Sequence, residues 1–251
     1  MNTPWLAYPH MPALDGSRIL VAGGAHRVGR AIALDLARGG ADVVVSYYSA
    51  GAAAEETRAD IEALGRRSAA LHANAAVPSE MAALVDSASE TLGGLDVYVH
   101  CPSGGFEPRD PGAVDEALWD AAMNSTAKGF MFAAQAAHAA MAGRGGVIIA
   151  ITDVAGLQPW PRFAPHAAAK AALIHLVKCL AAAWGRDGVR VCGVAPGPVL
   201  MPEGVEGNPD ETALGRLGDP VDVAQAVRFC IEAEFVTGQN VIVDGGRLLR
   251  P

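Results

Sequence analysis

The sequence predicts a three-layer α/β domain, a seven-stranded parallel sheet with helices on both faces. Three observations predict it. Short β-rich runs alternate with longer Ala-rich stretches at helical spacing from Arg18 to the C-terminal region. The runs are almost continuously Val and Ile, as in strands covered on both faces. With 251 residues, 51% of them hydrophobic and 18% charged, the chain can bury one large core without calling for a second domain.

Strands are expected at 19–21, 42–47, 68–71, 95–99, 147–151, 189–194 and 241–243. Helices are expected at 27–38, 51–64, 79–92, 114–141, 165–184 and 220–231. Residues 18–251 form the single domain, and residues 1–17 read as a loosely ordered arm. That arm has no basic stretch followed by an apolar run, so it does not resemble a signal peptide. No eighteen consecutive residues are apolar, which argues against a membrane span. No internal repeat is present, which excludes a propeller or solenoid.

The net charge of −8 gives no broad positive field for nucleic acid or an acidic membrane, so a small-molecule partner is favoured. Cys101, Cys179, Cys192 and Cys230 are far apart, with neither metal-ligand spacing nor a dense secreted pattern. They read as reduced thiols of a cytoplasmic protein with no metal site. Two irregular Pro/Gly-rich segments, 101–112 and 196–215, follow strands at their carboxyl ends, the edge where open α/β sheets bind ligands. The first is expected to border a ligand and the second to cover a substrate.

After the first strand comes Gly23-Gly24-Ala25-His26-Arg27-Val28-Gly29, then a helical run. Small residues at this turn let backbone approach a pyrophosphate, and the helix N-terminus presents amides with positive partial charge. On this motif alone a glycine-rich turn without a ligand remains an alternative. The order of further motifs narrows it: Leu95-Asp96-Val97-Tyr98-Val99, Asn124, Lys170, Ala195-Pro196-Gly197, Thr237-Gly238 and Val243-Asp244-Gly245-Gly246. In this order and spacing the chain resembles a short-chain dehydrogenase/reductase over residues 18–247, which implies a Rossmann fold and a nicotinamide cofactor. Arg27, where many members carry a second glycine, is similar to the pteridine-reductase-like branch.

The resemblance implies that Gly23, Ala25, His26, Arg27, Val28 and Gly29 hold the pyrophosphate side of the cofactor. NAD-specific sites carry an acid after the second strand that binds the ribose 2′-hydroxyl and repels a 2′-phosphate. Here the stretch is Val45-Ser46-Tyr47-Tyr48-Ser49, with no acid, so NADP(H) is favoured over NAD(H). Ser46, Ser49 and Arg27 are candidate phosphate contacts, with Tyr47 beside them. Asn74, followed by Ala75, stands where the family usually has an Asp near the adenine. Cys101, Pro102 and Ser103 replace the family's Asn-Ala-Gly, Ala22 replaces its Thr, and Pro196, Gly197 and Val199 border the nicotinamide, where Met201 replaces a common Thr.

The family's chemistry uses an Asn, a Ser, and a Tyr four residues before a Lys. Asn124 and Lys170 match; the Tyr position is His166 and the Ser position, thirteen residues earlier, is Asp153. Residues i and i+4 share a helix face, so His166 and Lys170 point the same way. In ordinary members Lys⁺ lowers the tyrosine pKa from about 10. Lys170 and an ionised Asp153 act on an imidazole in opposite senses, while the Asp and His together form an acid-base dyad. Imidazole is shorter than phenol, so a closer-lying substrate or a bridging water is needed. His100 and Thr152, at strand ends, are further candidates to touch substrate or cofactor.

Three functions share this pocket: an NADP(H)-dependent reductase of a carbonyl or conjugated alkene, a non-redox lyase, isomerase or cyclase, and a non-catalytic binding subunit. The resemblance also implies a homotetramer or homodimer through the helices at 114–141 and 165–184.

Overall fold

The computed structural model describes residues 14–199 and 207–249. The described residues form one sheet of seven parallel strands in the order β3-β2-β1-β4-β5-β6-β7. The strands are β1 (Arg18–Ala22), β2 (Asp42–Tyr47), β3 (Ser68–His72), β4 (Val97–His100), β5 (Gly146–Ile151), β6 (Val189–Pro196) and β7 (Asn240–Val243). The helices are α1 (Arg27–Arg38), α2 (Gly51–Ala63), α3 (Pro78–Leu92), α4 (Glu116–Met123), α5 (Gly129–Ala140), α6 (Ala164–Trp184) and α7 (Pro220–Glu232).

Successive side chains in a strand point to opposite faces, so the continuous apolar runs fill two cores at once. Ile19 and Val21 pack with Val43, Val45 and the apolar faces of α1 and α7. Leu20 and Ala22 pack with Val44, Tyr98 and the inward faces of α3, α5 and α6. Each buried Val, Ile or Leu contributes about 1.5–3 kcal/mol relative to exposure, and sheet and helices both supply such residues to the two cores. Strand order reverses between β1 and β4, which both pair with neighbours running outwards. Loops after β1 and β4 therefore diverge and leave a crevice at their carboxyl ends.

Two expectations are corrected. The helix anticipated at 114–141 is broken: between α4 and α5, Asn124–Lys128 form a π-helical turn. One extra residue in a turn leaves no mark on an Ala-rich periodicity, and such turns recur at functional sites. The folded body also begins before Arg18. Leu14 is buried in the core beside α1, and Gly16 N–H donates to the Gly40 carbonyl. Residues 1–13 of the anticipated arm, and residues 200–206 of the anticipated covering segment with Met201, lie outside the described residues.

By length and composition Pro161–Asp187 passes for a membrane-crossing helix, a test that a core helix also passes. Its inward face packs Leu173, Val177 and Leu180 into the second core.

Candidate active site

The turn after β1 is shaped by what its glycines exclude. A Cβ on Gly29 would stand 2.1 Å from the Gly23 carbonyl oxygen, and one on Gly24 would stand 2.8 Å from Cγ1 of Val45. Gly23 has φ of +72°, the left-handed region that glycine enters without a steric cost. Arg27, the first residue of α1, has φ of +54°, an unusual conformation for a side-chain-bearing residue. His26, the N-cap, makes no side-chain hydrogen bond to the helix, so the first amides of α1 receive no cap from it. Ala25 is buried, its carbonyl accepts the Thr57 hydroxyl at 3.0 Å, and Val28 packs on the first core.

This cradle fits a dinucleotide pyrophosphate: backbone can approach closely where a Cβ would block it, and α1 directs its positive end outwards. The neighbouring loops close on it. Cys101 and Pro102 lie against Gly23, Cβ of Cys101 being 3.4 Å from the ideal Cβ position, and Ser103 follows, exposed. At the end of β3, Asn74 accepts the Ala76 N–H on its side-chain oxygen at 3.0 Å and donates its own N–H to Glu80. A Cβ on Gly129 would stand 2.3 Å from the carbonyl of Ala75, so α5 approaches this loop as closely as glycine allows. Pro196 ends β6, Gly197 donates to the Val243 carbonyl at 2.9 Å, and Val199 is buried against Gly218.

Beside β2 the outcome is mixed. Ser49 is exposed and Tyr47 is half-buried, edge-on to His72. Ser46 is buried, and its hydroxyl accepts the Gly23 N–H at 3.1 Å. Its side chain thus fastens the glycine turn to β2, which corrects its reading as a phosphate contact. The correction has a simple cause: strand alternation sends Ser46 inwards, under the turn.

The titratable residues meet at the carboxyl end of β5. Asp153 leaves the strand into a 3₁₀ turn and caps it, one carboxylate oxygen accepting the Ala155 N–H at 2.8 Å. The other oxygen faces His166 Nε2 at 3.3 Å. A Cβ on Gly156 would stand 2.8 Å from the backbone of Lys170 and Ala171, so the turn lies tightly on α6 and fixes this pairing. His166 is buried, its side chain only 4% exposed, and Nδ1 has no hydrogen-bond partner among the described residues. One turn on, Lys170 is also buried and donates from Nζ to the Ile151 carbonyl at 2.8 Å. Burial lowers the Lys170 pKa, opposed by the charges of Asp153 and Cys101. Asn124 opens the π-helical turn, which packs against α6. Asp153, His166 and Lys170 thus meet at one edge, with the Asn124 turn on the neighbouring helix packed against α6.

His100 and Thr152 are not at the surface of this site. His100 is fully buried, with the Tyr98 hydroxyl 2.7 Å from Nδ1, and burial followed by the Lys170 charge pushes its pKa down to about 3. Thr152 is buried and donates across the sheet to Val194, within hydrogen-bonding distance of Asn240. Their strand-end positions suggested contact with substrate or cofactor; both turn inwards instead, where Thr152 ties the end of β5 to β6 and His100 packs beside Tyr98 of its own strand and Phe130 of α5.

Sequence reasoning missed an aromatic group over His166. Phe106 meets the imidazole at 4.9 Å between centroids, with Phe163 stacked on Phe106 and Trp160 against Phe163. The only prior signal was the presence of these rings in irregular segments of a chain with 6% aromatic residues.

Comparison with known proteins agrees with this geometry. A family model described as enoyl-(acyl carrier protein) reductase matches residues 22–247. L-rhamnose 1-dehydrogenase (NAD(P)(+)) of Sphingomonas sp. (strain SKA58) is 32% identical, over 94% of this chain and 98% of its own length. 3beta-hydroxysteroid dehydrogenase 1 of Eggerthella lenta is 33% identical, over 95% and 96%. The crystal structure of a short chain dehydrogenase from Burkholderia cenocepacia J2315 in complex with NADP superposes with a TM-score of 0.89 at 32% identity, covering 94% of this chain and all of that one. By its sheet order, its glycine turn and its relatives, the chain belongs to the short-chain dehydrogenase/reductase family, and it is an oxidoreductase of that family.

Proposed function

We propose that the protein is an NADP(H)-dependent reductase of a carbonyl or conjugated alkene on a small apolar substrate, with His166 in the proton-donating role. The observation that carries this reading is the His166 and Asp153 pair at 3.3 Å, with Lys170 one helical turn away, at the edge where the glycine cradle also opens. The residues that would hold the cofactor are Gly23, Arg27 and Gly29 at the pyrophosphate, Asn74 towards the adenine, and Lys170 at the nicotinamide ribose. When bound, NADPH supplies the reducing equivalent. The absence of an acid over residues 45–49 supports the phosphorylated form.

The protein's own part is to place and move a proton. Asp153 has one oxygen fixed by a backbone N–H, so its second oxygen orients the imidazole and stabilises an imidazolium. As negative charge develops on the substrate oxygen, the imidazole gives up its Nδ1 proton to it, while Nε2–H stays on the Asp153 carboxylate. The Lys170 ammonium, held by the Ile151 carbonyl, favours that developing charge through a low-dielectric surrounding. For an enone the same proton is delivered at carbon or through water.

Absorbance at 340 nm tests the reading, with purified protein, NADPH or NADH, and a panel of ketones and enones. Oxidation of NADPH in preference to NADH is expected. A panel with no consumption of either cofactor, alongside product from a dehydration or isomerisation substrate, would replace the reductase with a non-redox enzyme on the same dyad.

We further propose a cytoplasmic homotetramer or homodimer. Four cysteines without disulfides and the exposed rings of Trp119 on α4 and Phe132 on α5 support it, and light scattering on the purified chain measures the assembly.

A further inference from the structure

The geometry points to Phe106 and Phe163 as a wall that selects a flat aromatic ring carried next to the reacting carbonyl, an inference that rests on the reductase reading above. Phe106 is 45% exposed, and it lies against the imidazole that reading assigns to proton transfer. Its plane makes 77° with His166 and 20° with Phe163, whose centroid is 4.6 Å away. Trp160 extends the layer, 5.9 Å from Phe163 and inclined by 60°. A substrate whose carbonyl reaches His166 must therefore lay its adjoining atoms along this layer.

The rings are held in advance. A Cβ on Gly104 would stand 2.7 Å from the Ala121 carbonyl oxygen, and one on Gly105 would stand 2.8 Å from the Ala122 backbone nitrogen, so the Phe106 loop lies flat on α4. The two loops are then joined by Arg109 N–H donating to the Arg162 carbonyl at 2.7 Å. Rings fixed before binding lose little freedom when a ligand stacks on them. An aromatic ligand gains a factor of about 2 to 12 from ring-on-ring geometry beyond its buried area. A saturated ring of the same size gains the burial alone. The ratio between the two reports stacking and cancels general greasiness.

The test is the dissociation constant of 1-tetralone against that of 1-decalone, by calorimetry on the full chain saturated with NADP⁺, so that neither ketone reacts. Wild type should bind tetralone about tenfold tighter than decalone. Phe106→Leu, and Phe163→Leu as a second variant, should bring the ratio within threefold while decalone affinity moves by less than threefold. Equal affinities in wild type, no tetralone binding, or an unchanged ratio in both variants would overturn the wall. Discrimination in binding with no NADPH oxidation would keep the wall and reject the reductase. Oxidation of NADPH by ketones with an unchanged ratio in both variants would do the reverse.

Discussion

Gly29→Ala isolates the cradle from the rest of the site. The added Cβ would lie 2.1 Å from the Gly23 carbonyl oxygen, 2.9 Å from its carbon and 3.1 Å from the Gly24 Cα. All three are backbone atoms, so no side chain can swing aside, and the turn or the start of α1 must shift. Overpacking of this kind costs about 1–3 kcal/mol. Where the displaced atoms are those that meet the pyrophosphate, the cost appears in cofactor affinity, weakening it about 5- to 150-fold at 1.4 kcal/mol per tenfold. Gly185→Ala is the control: its Cβ would meet nothing within 4 Å and its φ is −57°. Calorimetric titration with NADPH and NADH, with thermal unfolding in parallel, gives the comparison. An affinity within twofold of wild type for both cofactors in the Gly29 variant would refute the assignment of this turn to the dinucleotide.

Other consequences follow from the buried histidine and the dyad. His100 has a pKa near 3 in the native state against 6.5 when exposed, so the unfolded chain binds the extra proton between these values. Stability should therefore be present above pH 6.5 and fall as the pH drops towards 3, by up to about 1.4 kcal/mol per unit. Urea unfolding of wild type and His100→Asn at pH 6.5, 5.5 and 4.5 reads this as a shallower slope in the variant; parallel slopes would count against it. His166→Tyr combined with Asp153→Ser recreates the family's usual pair beside Lys170, and NADPH oxidation with simple ketones should survive the double change. Its disappearance, with cofactor affinity intact, would mean that the pocket has moved to other chemistry.

The sheet was legible because burial on two faces writes itself as unbroken Val and Ile, as in Val43-Val44-Val45 and Val147-Ile148-Ile149. The Asp153 and His166 pair was legible for a different reason: a thirteen-residue spacing from the end of β5 to the first turn of α6 survives the replacement of both side chains. What stayed hidden was long-range or sub-periodic. Phe106 and Phe163 are brought together by two loops whose path no local pattern records. The π-helical turn at Asn124 differs from a straight helix by one residue. Ser46, His100 and Thr152 carry polar atoms at strand ends, and only the direction of the pleat decides that they serve the scaffold.

The proposed mechanism rests on one imidazole giving the proton. His166→Phe keeps an aromatic ring at the position while removing both nitrogens, so product formed in a single turnover with NADPH-loaded protein is the most direct measurement. A drop of about 10²- to 10⁴-fold in rate with unchanged NADPH affinity is predicted, the range for loss of a positioned general acid. A rate within threefold of wild type would contradict the account and leave His166 as a packing residue beneath Phe106.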